Sequence, residues 1–172
     1  MVIRDETPAD LPAIRVVHRA AFGRESEAGL VDRLRSDGLF IASLVAIEAD
    51  EIVGHILFTR LQVEVDGRIV RAAALAPLAV IPKWQRRGVG SKLTVQGLAQ
   101  LPAKAIAAVI VLGHPEYYPR FGFSPELTRK LVSPFRGKSS FMALELTAGA
   151  LSGQTGTVTY PKAFGLEDRG AS

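Results

Sequence analysis

The stretch at residues 77–93 reads PLAVIPKWQRRGVGSKL and places two glycines directly after a cluster of positive charge. An apolar segment precedes the charges, and an amphipathic segment follows from Gly88 to about Leu101, where Pro102 ends it. This order predicts a strand, a tight turn and a helix. Such a turn leaves backbone N–H groups free at the positive end of the helix dipole, where phosphate groups bind. A lone glycine pair more often only shapes a turn, so the surrounding sequence has to decide.

Two helices are predicted before this loop, after a short strand at Val2 to Arg4. The first follows a capping pattern at Thr7 to Asp10 and carries apolar residues at helical spacing as far as Ala21. The second spans about residues 25–36 and ends at Gly38. We expect the two helices to form a pair.

Three segments rich in Val, Ile and Leu come next, at residues 40–49, 52–65 and 68–81. They are separated by Asp-Glu and by Asp66-Gly67, and the latter pair is a strong hairpin signal. The pattern predicts an antiparallel meander. Its last strand runs directly into the glycine loop.

The chain after the loop predicts a parallel strand and a short helical turn. The run AIAAVIVLG at residues 105–113 is apolar throughout, as in a strand that is covered on both faces, and strand, helix, strand predicts a parallel crossover pair. HPEYYPRFGF then predicts one helical turn that opens at Pro115 and ends at Gly122. FMALEL at 141–146 is a further strand, whereas residues 147–172 show no clear periodicity.

Composition excludes several classes of function. The 172 residues contain no cysteine, so disulfides, cysteine-ligated zinc and a thiol nucleophile are excluded, and three scattered histidines predict no metal site. The formal net charge of +4 favours anionic small molecules as readily as nucleic acid. The amino terminus lacks a signal-peptide pattern and no apolar run reaches the roughly 20 residues of a membrane span. We therefore expect a cytoplasmic protein with no membrane or nucleic-acid partner.

Two motifs carry a resemblance to a known family. The loop resembles the acyl-CoA-binding motif of the GNAT acyltransferase superfamily, Gln/Arg-x-x-Gly-x-Gly/Ala, met at Gln85, Gly88 and Gly90. YYPRFGF at 117–123 resembles the family's later motif, a tyrosine four residues before a Gly-Phe pair. The phrases GHILF, VLGHPEYYPRFGF and YPKAFG make the chain look most like the YhbS-like branch of N-acetyltransferases.

The resemblance implies an α+β fold of the GNAT type. Its central mixed sheet would combine an amino-terminal antiparallel meander with a parallel crossover pair, flanked by helices. It also implies one N-acetyltransferase domain over residues 1–172, with a core at about 1–146 and a carboxy-terminal extension at 147–172.

The same resemblance implies an acetyl-CoA site. Backbone amides of the loop would hold the pyrophosphate, Gln85 and Arg86 would flank it, and the edge of the preceding strand would pair with the pantetheine arm. The implied binding residues are Leu78, Ala79, Val80, Gln85, Arg86, Arg87, Gly88, Val89, Gly90, Ser91 and Tyr118.

For catalysis, the resemblance implies the Val80 N–H as the oxyanion donor and Tyr118 as the acid for the departing thiolate, with Tyr117 as the alternative hydroxyl. The sequence indicates the general base for the amine proton less clearly, because the strand before the loop has no carboxylate after Arg71. His55 is a candidate base since an ordinary histidine titrates near neutrality, although a lone histidine among apolar residues is more often structural. A water chain, or selection of amines that are already neutral, would serve instead.

The function expected from these observations is transfer of acetyl from acetyl-CoA to a primary amine, by direct attack in a ternary complex. No motif in the sequence identifies the acceptor amine. The chain is expected to be a monomer or homodimer. One alternative is a non-catalytic acyl-CoA sensor or subunit of the same fold. A third is a nucleic-acid-binding protein, disfavoured because only Trp84 is interleaved with the basic loop.

Overall fold

The computed structural model describes residues 1–166; residues 167–172, which close the predicted carboxy-terminal extension, lie outside the described residues. The helices are α1 (Leu11–Phe22), α2 (Ser26–Ser36) and α3 (Val89–Gln100). The strands are β1 (Val2–Asp5), β2 (Phe40–Glu48), β3 (Glu51–Val65), β4 (Arg68–Val80), β5 (Ala108–Leu112), β6 (Leu131–Val132), β7 (Phe141–Glu145) and β8 (Gly156–Thr159).

Hydrogen bonding arranges the described strands in the order β1-β2-β3-β4-β5-β7, and β8 pairs with both β3 and β6. The chain divides into two compact units, and β3 and β4 contribute residues to both. No helix in the part of the chain that the structure describes is long and apolar enough to cross a membrane. The sheet is mixed, which confirms the predicted fold class.

The first unit comprises residues 1–59 and 76–101. β1 and β2 pair antiparallel, as do β2 and β3, with Ser43 opposite Leu57. The turn between β2 and β3 is formed by Ala49 and Asp50, with φ of 47° and 60°, so it falls one residue earlier than the Asp-Glu pair suggested. Pairing of β3 already begins at Glu51, opposite Glu48.

Alternation along β3 gives its two faces different partners. A side chain at Gly54 would meet Leu93 of α3, and the Phe58 ring packs against Gly97 of the same helix. His55 points the other way and contacts His18 of α1. Successive side chains of a strand face opposite sides, so α3 and α1 pack on opposite faces of β3.

The second unit comprises residues 60–75 and the chain from 102 onward. β4 and β5 pair parallel, with Ala72 opposite Ala108, as the crossover pattern predicts. β5 and β7 pair antiparallel, and β6 and β8 pair parallel. The core of this unit is apolar and includes Val63, Ile110 and Phe141.

Three details of the second unit differ from the sequence-based expectation. The helical turn in HPEYYPRFGF covers Tyr118–Phe121, later than Pro115 suggested, because residues 115–117 form a separate turn. β6 was not predicted, and β8 lies in the segment where no periodicity was found. β8 is a strand because Gln62 to Val65 of β3 pair with it across a long stretch of sequence. One domain over residues 1–172 stays a prediction.

Candidate functional site

The predicted anion loop is built where β4 ends and α3 begins. After a 3-10 turn at Pro82–Trp84, Arg86 and Gly88 have φ of 60° and 82°, and α3 starts at Val89 with Gly88 as its N-cap. The first α-helical bond to the cap runs from the Lys92 N–H to the Gly88 carbonyl, at 3.0 Å. The N–H groups of the first turn, at residues 89–91, therefore have no intrahelical acceptor and carry the positive end of the helix dipole.

Glycine at position 88 leaves the space beside these N–H groups open. A φ of 82° lies in the left-handed region, which residues with a side chain adopt at a cost. A Cβ built on Gly88 would meet no other heavy atom of the described chain within 4 Å. The exposed side chains of Arg86, Arg87 and Lys92 surround the loop with positive charge. The arrangement suits a polyanion that approaches the backbone closely.

Side chains of the loop hold it against the strand. Gln85 donates from Nε2 to the Val80 carbonyl at 2.8 Å, so its amide faces the strand end. The Ile81 N–H donates to the Val53 carbonyl at 2.9 Å, which anchors the end of β4 to β3. The Arg87 guanidinium lies 5.3 Å from the Trp84 ring centroid. These contacts connect the implied flanking residue Gln85 to the implied oxyanion residue Val80.

Gly54 contributes to the loop's position and was missed by the sequence analysis. A Cβ at this position would lie 2.9 Å from Leu93 and 3.0 Å from Val89, both on the first turns of α3. Only glycine lets the start of α3 approach β3 this closely without a shift. The available signal was a glycine inside an apolar strand segment, which marks a close approach of another element.

The second unit contains Tyr118, at the start of the 3-10 helix that Gly122 ends with a φ of 96°. Tyr118 is 7% exposed, and its ring meets the Phe123 ring edge to face at 5.7 Å. The ring also packs on Gly113, where a Cβ would come within 2.2 Å of it. Burial raises the pKa of Tyr118 above its ordinary value, and the neighbouring Tyr117 acts in the same direction. The phenol therefore keeps its proton at neutral pH.

Tyr117, the alternative hydroxyl, has different surroundings. Its ring lies 5.0 Å from that of Tyr118, and the Arg120 guanidinium stacks on it at 4.3 Å. Its hydroxyl is buried and has no hydrogen-bond partner among the described residues. The two tyrosines are therefore adjacent but not equivalent.

His55, the candidate base, is fully buried in the first unit. Its Nδ1 lies 2.8 Å from His18 Nε2, and its Nε2 lies 2.7 Å from Ser43 Oγ. Burial lowers the pKa of His55, and the nearby Glu6 carboxylate opposes that shift. Both ring nitrogens are engaged within the protein, which supports the structural interpretation of this residue. Its role as a base stays a prediction.

The structure places Leu78 to Val80 and Gln85 to Ser91 in one continuous strand, turn and helix of the first unit. Tyr117 and Tyr118 stand together in the second unit, and His55 belongs to a separate cluster. Within residues 1–166, no group of three His, Asp or Glu side chains is arranged to hold a metal ion.

Comparison with known proteins decides the family. Residues 2–125 match the family described as acetyltransferase (GNAT) domain. The chain belongs to the GNAT acetyltransferases. The predicted resemblance to this family, including its YhbS-like branch, is confirmed.

Two relatives among Escherichia coli K12 proteins are both described as uncharacterized N-acetyltransferases. This GNAT chain is 37% identical to YhbS over 166 residues, which cover 95% of the chain and 98% of YhbS. It is 44% identical to YjhQ over 121 residues, which cover 68% of the chain and 66% of YjhQ.

Two similar crystal structures contain coenzyme. The structure of Escherichia coli YhbS in complex with CoA has a TM-score of 0.85 and 36% identity, and the match covers 95% of this chain and 91% of YhbS. A Brucella melitensis GNAT acetyltransferase in complex with acetyl-CoA has a TM-score of 0.77 and 34% identity, and the match covers 95% of this chain and 97% of the Brucella chain.

Proposed function

We propose that this GNAT acetyltransferase moves an acetyl group from acetyl-CoA to a primary amine by direct attack while both substrates are bound. The observation that carries the proposal is the junction of β4 and α3. There Gly88, at φ 82°, leaves open space beside the first N–H groups of α3. The relatives crystallised with CoA and with acetyl-CoA support acetyl-CoA as the donor.

The donor would bind by its phosphates and its pantetheine arm. The N–H groups at residues 89–91 would donate to the pyrophosphate, with the helix dipole and the exposed Arg86 and Arg87 favouring its charge. The edge of β4 at Leu78 to Val80 would pair with the pantetheine amides, as an added strand pairs with a sheet. Pro82 has no N–H to donate, so that pairing would stop before the loop.

The thioester supplies an activated acyl carbon, so no protein nucleophile is needed. The Val80 N–H would donate to the oxygen that gains charge as the amine attacks. Tyr118 would give its phenolic proton to the departing thiolate, with Tyr117 as the alternative donor. Because burial raises the pKa of Tyr118, its proton is present at neutral pH and available for that step.

Binding and transfer are tested separately. Saturating acetyl-CoA, at about 100 times Kd, should stabilise the protein by about 2.7 kcal/mol and raise Tm by roughly 5 to 11 °C. A panel of amines is then screened for release of free thiol from acetyl-CoA. If acetyl-CoA leaves Tm unchanged while RNA or DNA raises it, the proposal is wrong.

The sensor alternative is favoured by one specific observation. β4 carries no acidic side chain, and the histidine that could replace it on β3 is buried with both nitrogens engaged. A protein that binds acetyl-CoA tightly but releases no thiol with any amine of the panel would support the sensor.

A further inference from the structure

A buried chain of polar side chains connects two helices to the sheet in the first unit. His18 Nε2 of α1 lies 2.8 Å from His55 Nδ1 of β3. His55 Nε2 lies 2.7 Å from Ser43 Oγ of β2 and 3.6 Å from a carboxylate oxygen of Glu6. Glu6 is in turn ion-paired with Arg35 of α2. Both imidazoles have zero exposure, so the chain has no access to solvent at its histidines.

The partners of this chain favour one arrangement of protons on the ring nitrogens. An ionised carboxylate only accepts hydrogen bonds, so the Glu6 side favours a proton on His55 Nε2. His55 Nδ1 is then an acceptor, and His18 must donate to it from Nε2. His18 Nδ1 is left as a bare lone pair, and that atom is buried with no partner among the described residues. A second proton on His18 would therefore be a buried donor with no acceptor, at a large cost.

We propose that Glu6, Ser43, His55 and His18 form an acid-sensitive lock, which holds α1 and α2 on the sheet only while both imidazoles are neutral. Mild acidification favours the released state, in which the two helices have left the sheet and both histidines take up a proton. The other charged side chains near the two imidazoles do not offset the cost of a buried proton. Glu27 of α2 acts on His18 but is already paired with Arg24, and Arg35 repels a charge on His55.

The direction of the pH dependence follows from the pKa of each group. Burial, assisted by the charge of His55, lowers the pKa of His18 from 6.5 to about 3. Burial also lowers the pKa of His55. The unfolded chain therefore binds two protons below pH 6.5 that the locked state excludes, so stability is complete above that pH and falls as the pH decreases.

The contribution of Glu6 to stability changes in a lower pH range than that of the two histidines. Burial alone would raise its pKa, but His55, Arg35 and Ser43 outweigh burial and lower it from 4.5 to about 2. Its contribution is therefore lost only as the pH falls below about 4.5. Between pH 7.5 and 5.0, His18 should raise the unfolding constant about 30-fold, and His55 should add to this in the same direction.

Release should affect one face of β3 and spare the other. His55 faces α1, whereas Gly54 and Phe58 face α3 and seat the helix that begins at the glycine loop. On the proposed function, the opened form should still bind acetyl-CoA after α1 and α2 have detached. Coenzyme binding on the α3 face of β3 should therefore not depend on whether α1 and α2 are packed on the other face.

The test compares hydrogen exchange and urea unfolding of the full chain at pH 7.5 and 5.0, with exchange corrected for the intrinsic pH dependence. Amides of α1 and α2 should lose protection at pH 5.0 while those of α3 keep it. His18→Gln should remove about 30-fold of the pH effect, and His55→Gln should also reduce it. His114→Gln, which changes the exposed third histidine, is the matched control and should leave the effect intact.

Imidazole ¹⁵N spectra of the unaltered protein keep the proposal falsifiable if the variants do not fold. They should show two neutral Nε2–H histidines at pH 6. A charged His18 or His55 at that pH, an unfolding constant that does not change between pH 7.5 and 5.0, or simultaneous loss of protection in α1 and α3 would each overturn the lock. Acetyl-CoA binding at pH 7.5 is measured on the same samples, so a failure of the proposed function is seen separately.

Discussion

Replacing Gly88 by alanine tests the loop most directly, because it separates backbone strain from ligand binding. At φ 82° an alanine should cost about 1–2 kcal/mol, the usual penalty for a left-handed residue that has a Cβ. No clash adds to this, since the new methyl group would meet no other heavy atom of the described chain within 4 Å. For a chain of this size, the expected decrease in Tm is about 2–8 °C.

Gly38→Ala is the matched control. Gly38 follows the C-terminal cap of α2, has a φ of 67°, and its Cβ would also meet nothing within 4 Å of the described residues. Both variants should therefore lose a similar free energy of unfolding. Only Gly88→Ala should weaken the binding of acetyl-CoA, because its methyl group occupies the space that a pyrophosphate needs to reach the N–H groups of α3.

The expected loss of affinity corresponds to one charge-assisted hydrogen bond, about 1.5–3 kcal/mol or roughly 10- to 150-fold in Kd. Isothermal titration with acetyl-CoA gives Kd, and urea unfolding gives the strain, at the same pH for both variants. If the two variants bind acetyl-CoA equally well, this loop does not hold the pyrophosphate and the reasoning is refuted.

Three further predictions concern the two tyrosines and the acceptor amine. Gly113→Ala would bring a methyl group to 2.2 Å from the Tyr118 ring, so the ring must shift by about 1 Å. Turnover in a thiol-release assay should therefore fall by as much as about 100-fold. Tyr117→Phe removes a buried hydroxyl that has no partner among the described residues, so the unfolding free energy should stay the same or rise, whereas a large decrease would reveal an unseen partner. If the enzyme selects neutral amines, kcat/KM should rise tenfold per pH unit up to the pKa of the acceptor amine itself, and that break should move when an acceptor of different pKa is used.

Features set by local sequence were predicted well. The Asp66-Gly67 turn, with φ of 48° and 80°, and the glycine loop before α3 both depend on residues that favour unusual backbone angles. The capping pattern is present, with the Thr7 N–H donating to Asp10 at 2.7 Å. Local chemistry of this kind is visible in a single sequence, since a turn or cap involves only neighbouring residues.

Features set by distant residues were not predictable. β8 is a short segment whose partners on β3 lie more than 90 residues away, so its own composition gave no period. His18 is buried on α1 although its residue type suits a surface, because its partner His55 lies 37 residues later on another element. Periodicity places apolar residues on a face, but it does not reveal which buried polar groups satisfy one another.

The same limit explains why the base could not be read from the sequence. A histidine on the strand next to β4 satisfies every sequence criterion for a base, namely residue type, ordinary pKa and nearby strand position. A general base also needs a nitrogen that is free to reach the substrate. At His55, one nitrogen faces His18 and the other faces Ser43, while the preceding position, Gly54, serves the opposite face of the strand. This part of β3 is therefore occupied on both faces by packing, which favours the proposal of an acceptor amine that is already neutral when it binds, while His55 as the base stays a prediction.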